Sequence, residues 1–279
     1  MAETSYAEAM STVVPDGGSP PWKPWTAPVA LVVAFLFAIV GGLIVAIVGA
    51  AFGASIDDPP PAVNIVATVV QDGGFIGAAL VFAGREGPVS LARFGLRPAA
   101  LRTSLGWMAL AFAVYLAFSG AWMSVLDLHQ KDNLPKELGV ESSTAALVAV
   151  CVLVTVIAPI AEELFFRGYF FGALRNWHGP WLAAVVTGLV FGAIHVGSAP
   201  VAFLVPLAML GFMLCVVRWR TGSLLPCMAL HAVNNGLAFG VSEHWIAWQV
   251  LLLIAGATAV VLLAATAFVD REPAGRALI

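Results

Sequence analysis

Two adjacent carboxylates and an arginine interrupt a long apolar run in the middle of the chain. Glu162, Glu163 and Arg167 lie between Ala145 and Phe171. A charged side chain in a membrane helix costs about 2.5–3.5 kcal/mol even on a lenient insertion scale, so it is rarely present without a use. On an α-helix Glu163 and Arg167 are i, i+4 and can pair. Glu162 lies about 100° further round, so the spacing predicts one anchored carboxylate and one free carboxylate.

Later apolar segments contain three more polar side chains at helical spacings. His195 follows Phe191 by four residues, and His231 precedes Asn235 by four, so each pair shares one helix face. A carboxylate hydrogen-bonded to water can serve as a general base, and a neighbouring histidine can orient or share the proton. A histidine and an asparagine one turn apart can donate hydrogen bonds to an oxyanion. Together with Glu162, these groups suggest the addition of water to a carbonyl.

A predicted turn at His178-Gly179-Pro180 would bring the first of these residues to one level. Glu162 lies 16 residues before His178, and His195 lies 17 after it. At 1.5 Å per residue, both are about 24–25 Å from the turn. His231 is only about 13 Å from the loop that precedes its helix. A shared depth therefore requires the helices on either side of the turn to project beyond the membrane surface.

The composition identifies the class of protein that must position these residues. The chain has 279 residues, of which 61% are hydrophobic and 10% are charged, and its mean hydropathy is +0.95. Soluble domains contain about 25% charged residues, so the sequence predicts an integral membrane protein. The net charge of −3 and the absence of a basic tract give no indication of nucleic-acid binding. The three cysteines lack CxxC spacing and are expected to be free thiols.

The apolar segments predict an all-α, polytopic membrane bundle of about eight transmembrane helices. A polar N-terminal tail, 1–27, would precede a single bundle, 28–279, whose catalytic core is about 143–240. The tail is not expected to be a cleavable signal, because residues 1–21 contain no Lys or Arg. In the fifth span, Gly188 and Gly192 would let a neighbouring helix approach closely. The predicted spans are 28–54, 62–83, 105–126, 143–177, 181–196, 200–217, 224–240 and 245–269.

The distribution of Lys and Arg predicts the orientation of the bundle. When the connections are assigned alternately to the two sides, eleven of the 13 basic residues fall on one side. Lys131 and Lys136 fall on the other. The positive-inside rule then predicts that both termini are cytoplasmic. The eleven are Lys23, Arg85, Arg93, Arg97, Arg102, Arg167, Arg175, Arg218, Arg220, Arg271 and Arg276.

Three motifs, in order on three spans, resemble those of a known family. They are Glu162-Glu163-xxx-Arg167, Phe191-xxx-His195 and His231-xxx-Asn235, where xxx marks three intervening residues. In this order they are similar to the motifs of the CAAX-protease and bacteriocin-processing (CPBP, or Abi) intramembrane endopeptidases. Arg167-Gly168 and the stretch 219–224 also fit that family. The resemblance covers about residues 143–240.

The resemblance implies a fold, a reaction and a role for each motif residue. It implies an eight-helix membrane protease with a site open to the cytosol and the membrane. Glu162 and His195 would activate water, and His231 and Asn235 would stabilise the oxyanion. The supporting residues would be Glu163, Arg167 and Phe191. The partners would be the lipid bilayer and a membrane-anchored peptide or protein substrate, and no cofactor is expected.

Other interpretations remain open at this stage. Glu162, His195 and His231 could hold a zinc ion with an open fourth position, although no HExxH motif is present. A proton-coupled transporter could use the carboxylates and histidines as a relay. A non-catalytic membrane immunity or scaffold protein is the third alternative. Asp72, beside Gln71 in the second span, is predicted to line the cavity or to contact a neighbouring helix, without a catalytic role.

Overall fold

The computed structural model describes residues 20–126 and 134–269. Most of the polar N-terminal tail, the loop residues His129 and Lys131, and the C-terminal cations Arg271 and Arg276 lie outside the described residues. Within those ranges the chain is helical, with one isolated β-bridge between Val196 and Ala199. The all-α class predicted from the sequence is therefore found in the part of the chain that the structure describes.

Eleven α-helices and two π-helices make up the described part of the chain. The π-helices are Leu153–Ile157, directly after α6, and Leu164–Phe170, directly after α7. The α-helices are α1 Thr26–Ala51, α2 Pro61–Gly84, α3 Leu91–Phe94, α4 Leu101–Val125, α5 Leu134–Glu137, α6 Thr144–Val152, α7 Ala158–Glu163, α8 Phe171–Ala193, α9 Val201–Thr221, α10 Leu225–Ser242 and α11 Ala247–Ala267.

Within the described residues, six helical segments are long and apolar enough to cross a membrane. They are α1, α2, α4, the continuous stretch Thr144–Ala193, α9 and α11. This number is smaller than the predicted eight for two reasons. Two predicted spans fall within the stretch Thr144–Ala193. The helix α10 is not counted because its polar residues His231, Asn234 and Asn235 lower its hydropathy. The chain is an integral membrane protein.

The stretch Thr144–Ala193 is broken where the sequence predicts a turn. His178 has φ −124° and ψ 27°, and Gly179 has φ 79° and ψ 179°. Gly179 occupies a positive-φ conformation that residues with a Cβ rarely adopt, and Pro180 follows it. The break separates a long helical segment, which contains both glutamates, from a shorter helical segment that ends just before His195.

The long helices pack mainly as neighbours along the chain. The helix α1 lies along α2, α8 along α9, and α10 along α11, while α4 lies against α9. The buried side of α1 consists of small residues, including Ala27, Ala30 and Ala34, which let the helix backbones approach. Large apolar side chains of the same helix, such as Ile39 and Leu43, point outward. Apolar outer surfaces of this kind suit contact with lipid.

An aromatic core surrounds the helix that contains the glutamates. All seven residues of the π-helix Leu164–Phe170 are buried. Phe75 of α2 packs against Phe165 and Phe166, with ring centroids 5.1 and 5.6 Å apart. The Tyr169 hydroxyl donates a hydrogen bond of 2.7 Å to Thr26 Oγ1 at the start of α1. These contacts fix the glutamate helix against the N-terminal helices.

Candidate active site

The two glutamates lie at the end of a short α-helix with a π-helix on each side. Glu162 and Glu163 are the last two residues of α7. The first π-helix ends at Ile157, just before Pro159, whose missing N–H and bulky ring disrupt ordinary α-helical bonding. Short π-helical turns occur frequently at functional sites. Their widened backbone changes the direction of side chains relative to a regular helix.

Glu163 and Arg167 form the ion pair that their spacing predicts. Arg167 Nη1 donates to Glu163 Oε1 at 2.7 Å, and both side chains are completely buried. Arg167 Nη2 also donates to the Gly211 carbonyl oxygen at 3.1 Å. The guanidinium carbon lies 4.3 Å from the centroid of the Phe191 ring, a distance typical of a cation–π contact. Arg167 therefore links the glutamate helix to α9 and α8.

Glu163 has a second partner that the sequence analysis did not identify. His231 Nδ1 lies 2.8 Å from Glu163 Oε1, the oxygen that also accepts from Arg167. A carboxylate paired with a guanidinium is ionised and can only accept hydrogen bonds. His231 Nδ1 is therefore the donor, and its Nε2 is left to face the other glutamate. No local spacing signals this contact, because the two residues are 68 positions apart.

Glu162 is the free carboxylate that the sequence predicts. Its side chain is 15% exposed, and its Oε2 is buried without a hydrogen-bond partner among the described residues. His231 Nε2 lies 3.8 Å from that oxygen, which is too far for a hydrogen bond. The separation is less than twice the length of a hydrogen bond to water, about 2.8 Å. One water molecule can therefore contact both atoms.

His195 lies just beyond the end of α8, two residues after Ala193. Its Nδ1 is 2.7 Å from the Phe191 carbonyl oxygen. Because a carbonyl oxygen only accepts, Nδ1 carries the proton and Nε2 is available as an acceptor. The Phe191 ring lies 5.0 Å from the His195 ring and 5.8 Å from the His231 ring. Phe191 thus contacts both imidazoles as well as Arg167.

The two glycines of α8 allow the close helix packing that their spacing predicts. A Cβ at Gly188 would lie 2.7 Å from the Ala208 carbonyl oxygen, and one at Gly192 would lie 2.5 Å from the Leu204 carbonyl oxygen. Real Cβ atoms do not approach a backbone oxygen so closely. The absence of side chains at these positions therefore sets the distance between α8 and α9, and with it the position of His195.

Asn235 lies one turn after His231 on α10. Its Nδ2 donates to the Val154 carbonyl oxygen at 2.9 Å, and its Oδ1 accepts from Asn234 Nδ2 at 3.2 Å. An asparagine amide has two N–H groups, so the bond to Val154 leaves the second available for another acceptor. The first bond fixes the orientation of the amide plane.

One cavity of about 210 Å³ is lined by all four predicted catalytic residues. They are Glu162, His195, His231 and Asn235. Glu163 and Arg167 do not line it, which fits a supporting role behind His231. Gln71 and Asp72 are among the α2 residues that also line the cavity. A neighbouring cavity of about 190 Å³ shares His195 and Asn235, and apart from Ser198 and Asn234 the rest of its lining is apolar or aromatic.

The arrangement of the site's His, Cys, Asp and Glu side chains determines whether a metal ion could be coordinated there. A catalytic zinc site requires three protein ligands at about 2.0–2.2 Å from one point. In ranges 20–126 and 134–269, no three His, Cys, Asp or Glu side chains are grouped so that they could hold a metal ion. The residues in this arrangement do not fit the three-ligand zinc site considered from the sequence.

Comparison with known proteins supports the interpretation of the motifs. Residues 144–237 match the family model described as type II CAAX prenyl endopeptidase Rce1-like. This range includes all seven predicted catalytic and supporting residues. No solved structure gives a significant match to the chain.

Two curated bacterial proteins are similar to part of the chain. An Escherichia coli protein described as an uncharacterized 24.3 kDa protein is 30% identical over 143 residues, which are 48% of this chain and 63% of that protein. The UPF0177 protein YxdF of Lactococcus lactis is 24% identical over 105 residues, 37% of this chain and 56% of that protein. The chain thus spans less than two thirds of the length of either relative. The three motifs and the family match at residues 144–237 agree, and both support a relationship of this part of the chain to the CAAX protease (CPBP) family.

Proposed function

We propose that the chain is an intramembrane endopeptidase that hydrolyses a peptide bond in a membrane-associated protein or peptide. The supporting observation is the different environment of the two adjacent glutamates. Glu163 is fully buried and does not line the cavity; its Oε1 is bound to Arg167 and His231, and its Oε2 has no partner among the described residues. Glu162 lines the cavity, and its Oε2 has no hydrogen-bond partner among the described residues. One carboxylate therefore positions the site, and the other is available to react.

Glu162 is the general base in the proposed reaction. A water molecule bound to its carboxylate loses a proton to Glu162 as its oxygen attacks the substrate carbonyl carbon. His195 lines the same cavity, and its Nε2 is an acceptor because Nδ1 donates to the Phe191 carbonyl oxygen. His195 can therefore accept the second hydrogen of this water and orient its lone pair toward the substrate.

His231 and Asn235 stabilise the oxyanion that forms on the carbonyl oxygen. The second N–H of the Asn235 amide is one donor. His231 Nε2 is the second proposed donor, and the bond from Nδ1 to the Glu163 carboxylate orients the ring for it. Removing one such donor typically lowers kcat by about 10²–10³-fold.

The membrane arrangement proposed for this enzyme has eight crossings. The break at Gly179 divides the stretch Thr144–Ala193 into two crossings, and α10 adds another, because its polar face lines the cavity instead of contacting lipid. An even number of crossings places both termini on one side. The strong excess of basic residues on that side makes it the cytoplasm, and the cavity opens toward the cytosol and the membrane.

The decisive experiment compares cleavage by the wild type and by Glu162→Ala. Both proteins are purified in detergent and incubated with a panel of membrane-anchored peptides, and the products are identified by mass spectrometry. We expect the wild type to cleave at least one peptide and Glu162→Ala to lose that activity. Asp57→Asn removes an exposed loop carboxylate and serves as the control with unchanged activity. Equal cleavage by wild type and Glu162→Ala would refute the proposed function.

A further inference from the structure

A second carboxyl group lies in the same cavity as Glu162. Asp72 is in the middle of α2 and is only 2% exposed. It lines the cavity, and its Oδ2 is buried without a hydrogen-bond partner among the described residues. Asp72 lies outside residues 144–237, so neither the motifs nor the family match indicates a role for it.

The packing of α2 holds Asp72 at this position. One turn further along, Phe75 packs against Phe165 and Phe166 of the π-helix that follows the glutamates. On another side of α2, a Cβ at Gly74 would lie 2.7 Å from the Phe37 ring of α1. The helix is therefore held between the glutamate helix and α1. The Asp72 carboxyl is directed into the cavity by two sets of tight contacts.

The lining of the cavity disfavours the ionisation of both carboxyl groups at once. The titratable groups that line the cavity are Asp72, Glu162, His195 and His231. His231 Nδ1 is bound to Glu163, which does not line the cavity. Two ionised carboxylates in a shared apolar site repel each other, so such a pair tends to hold one proton between them.

We propose that Asp72 is the general acid that donates a proton to the leaving amine, an inference that rests on the proposed function. As water attacks, its proton moves to Glu162 and the C–O bond forms. When the tetrahedral intermediate collapses, the C–N bond breaks and the amine nitrogen takes the proton of the Asp72 carboxyl. The proton on Glu162 then passes to the Asp72 carboxylate. Both groups return to their starting states, and no further reactant is required.

The test compares two substrates that differ only in the leaving group. One membrane-anchored peptide has the cleaved amide, and the other has a p-nitrophenyl ester at the same carbonyl. An amine leaves only after protonation, whereas p-nitrophenolate needs no proton. For Asp72→Asn, which keeps the size of the side chain but has no transferable acid proton, we expect kcat for the amide to fall about a hundredfold. The kcat for the ester should stay within about twofold of wild type.

The ester also shows that the variant is folded, and two further variants complete the experiment. Glu162→Ala should lose activity toward both substrates, because attack by water fails in both. Asp72→Glu, which restores an acid, should recover part of the amide cleavage. Unchanged amide cleavage by Asp72→Asn would overturn the proposal, as would an equal loss on both substrates. If Glu162→Ala cleaves both substrates normally, the proposed function itself fails, and this result is distinct from a failure of the role of Asp72.

Discussion

Glu163 Oε1 lies 2.8 Å from His231 Nδ1, and this contact joins α7 to α10 in the centre of the bundle. The same oxygen accepts from Arg167 Nη1 at 2.7 Å. The guanidinium and the imidazole compensate Oε1 for its loss of hydration, whereas Glu163 Oε2 has no hydrogen-bond partner among the described residues. The feature that stabilises the helix packing is thus also the feature that sets the hydrogen-bonding state of a predicted catalytic histidine.

Replacing Glu163 should reduce both stability and activity. Glu163→Gln leaves the buried Arg167 guanidinium without a counter-charge, and breaking a buried pair in this way costs about 3–5 kcal/mol. The same change replaces the charged acceptor that fixes His231 with a neutral amide, whose oxygen is a weaker acceptor. We expect a lower midpoint of thermal unfolding in detergent and a loss of peptide cleavage.

The neighbouring glutamate provides the matched control for that prediction. Glu162→Gln should abolish cleavage without lowering the unfolding midpoint, because Glu162 Oε2 has no hydrogen-bond partner to lose among the described residues. The two variants differ by one position and remove the same charge. Equal unfolding midpoints for Glu162→Gln and Glu163→Gln would contradict the prediction that only the Glu163 carboxylate stabilises the fold.

Adding a methyl group at Gly192 should separate α8 from α9. The new Cβ would lie 2.5 Å from the Leu204 carbonyl oxygen, and overpacking of this kind typically costs about 1–3 kcal/mol. His195 follows at the end of the same helix, so cleavage should fall with stability. Gly106→Ala in α4 is the control, since no atom lies within 4 Å of its Cβ position. Similar unfolding midpoints for the two variants would contradict the close packing inferred at Gly192.

Removing the Asn235 amide should slow the chemical step. Asn235→Ala removes a proposed oxyanion donor, and we expect kcat to fall about 10²–10³-fold with little change in KM. Asn234→Ala removes only the donor to Asn235 Oδ1, because Asn235 Nδ2 keeps its bond to Val154. Its kcat should fall less than tenfold, by about the effect of one ordinary hydrogen bond. Steady-state kinetics on one peptide measures both, and equal losses would argue against Asn235 as the donor.

Removal of divalent metal ions should leave cleavage unchanged. The proposed mechanism uses Glu162 and hydrogen-bond donors, and the side chains of the described residues do not group into a three-ligand site. Purified protein treated with a chelator and then dialysed should retain its kcat. Metal analysis of the same sample should find less than one zinc per chain. A loss of activity that zinc restores would favour the zinc-dependent alternative.

The sequence alone determined the class of protein, the apolar segments and the local contacts. Too few charged residues are present for a soluble protein of this length, and the segment bounds follow from hydropathy. The turn at Gly179 and the pairing of Glu163 with Arg167 depend on residues within one helix or one loop. Such contacts are readable from the sequence because helical geometry fixes which positions lie together.

Only the tertiary structure decided how the helices share their polar groups. The second partner of Glu163 is His231, from a helix 68 residues later, and the Asn235 amide is held by the Val154 carbonyl oxygen of a π-helix. Asp72 enters the cavity from α2, in a part of the chain without a recognisable motif. Hydropathy and periodicity give the position of a residue along its own helix. The rotation of each helix against its neighbours depends instead on packing between helices, as at Gly192 and Leu204. The sequence of one helix does not determine such a contact.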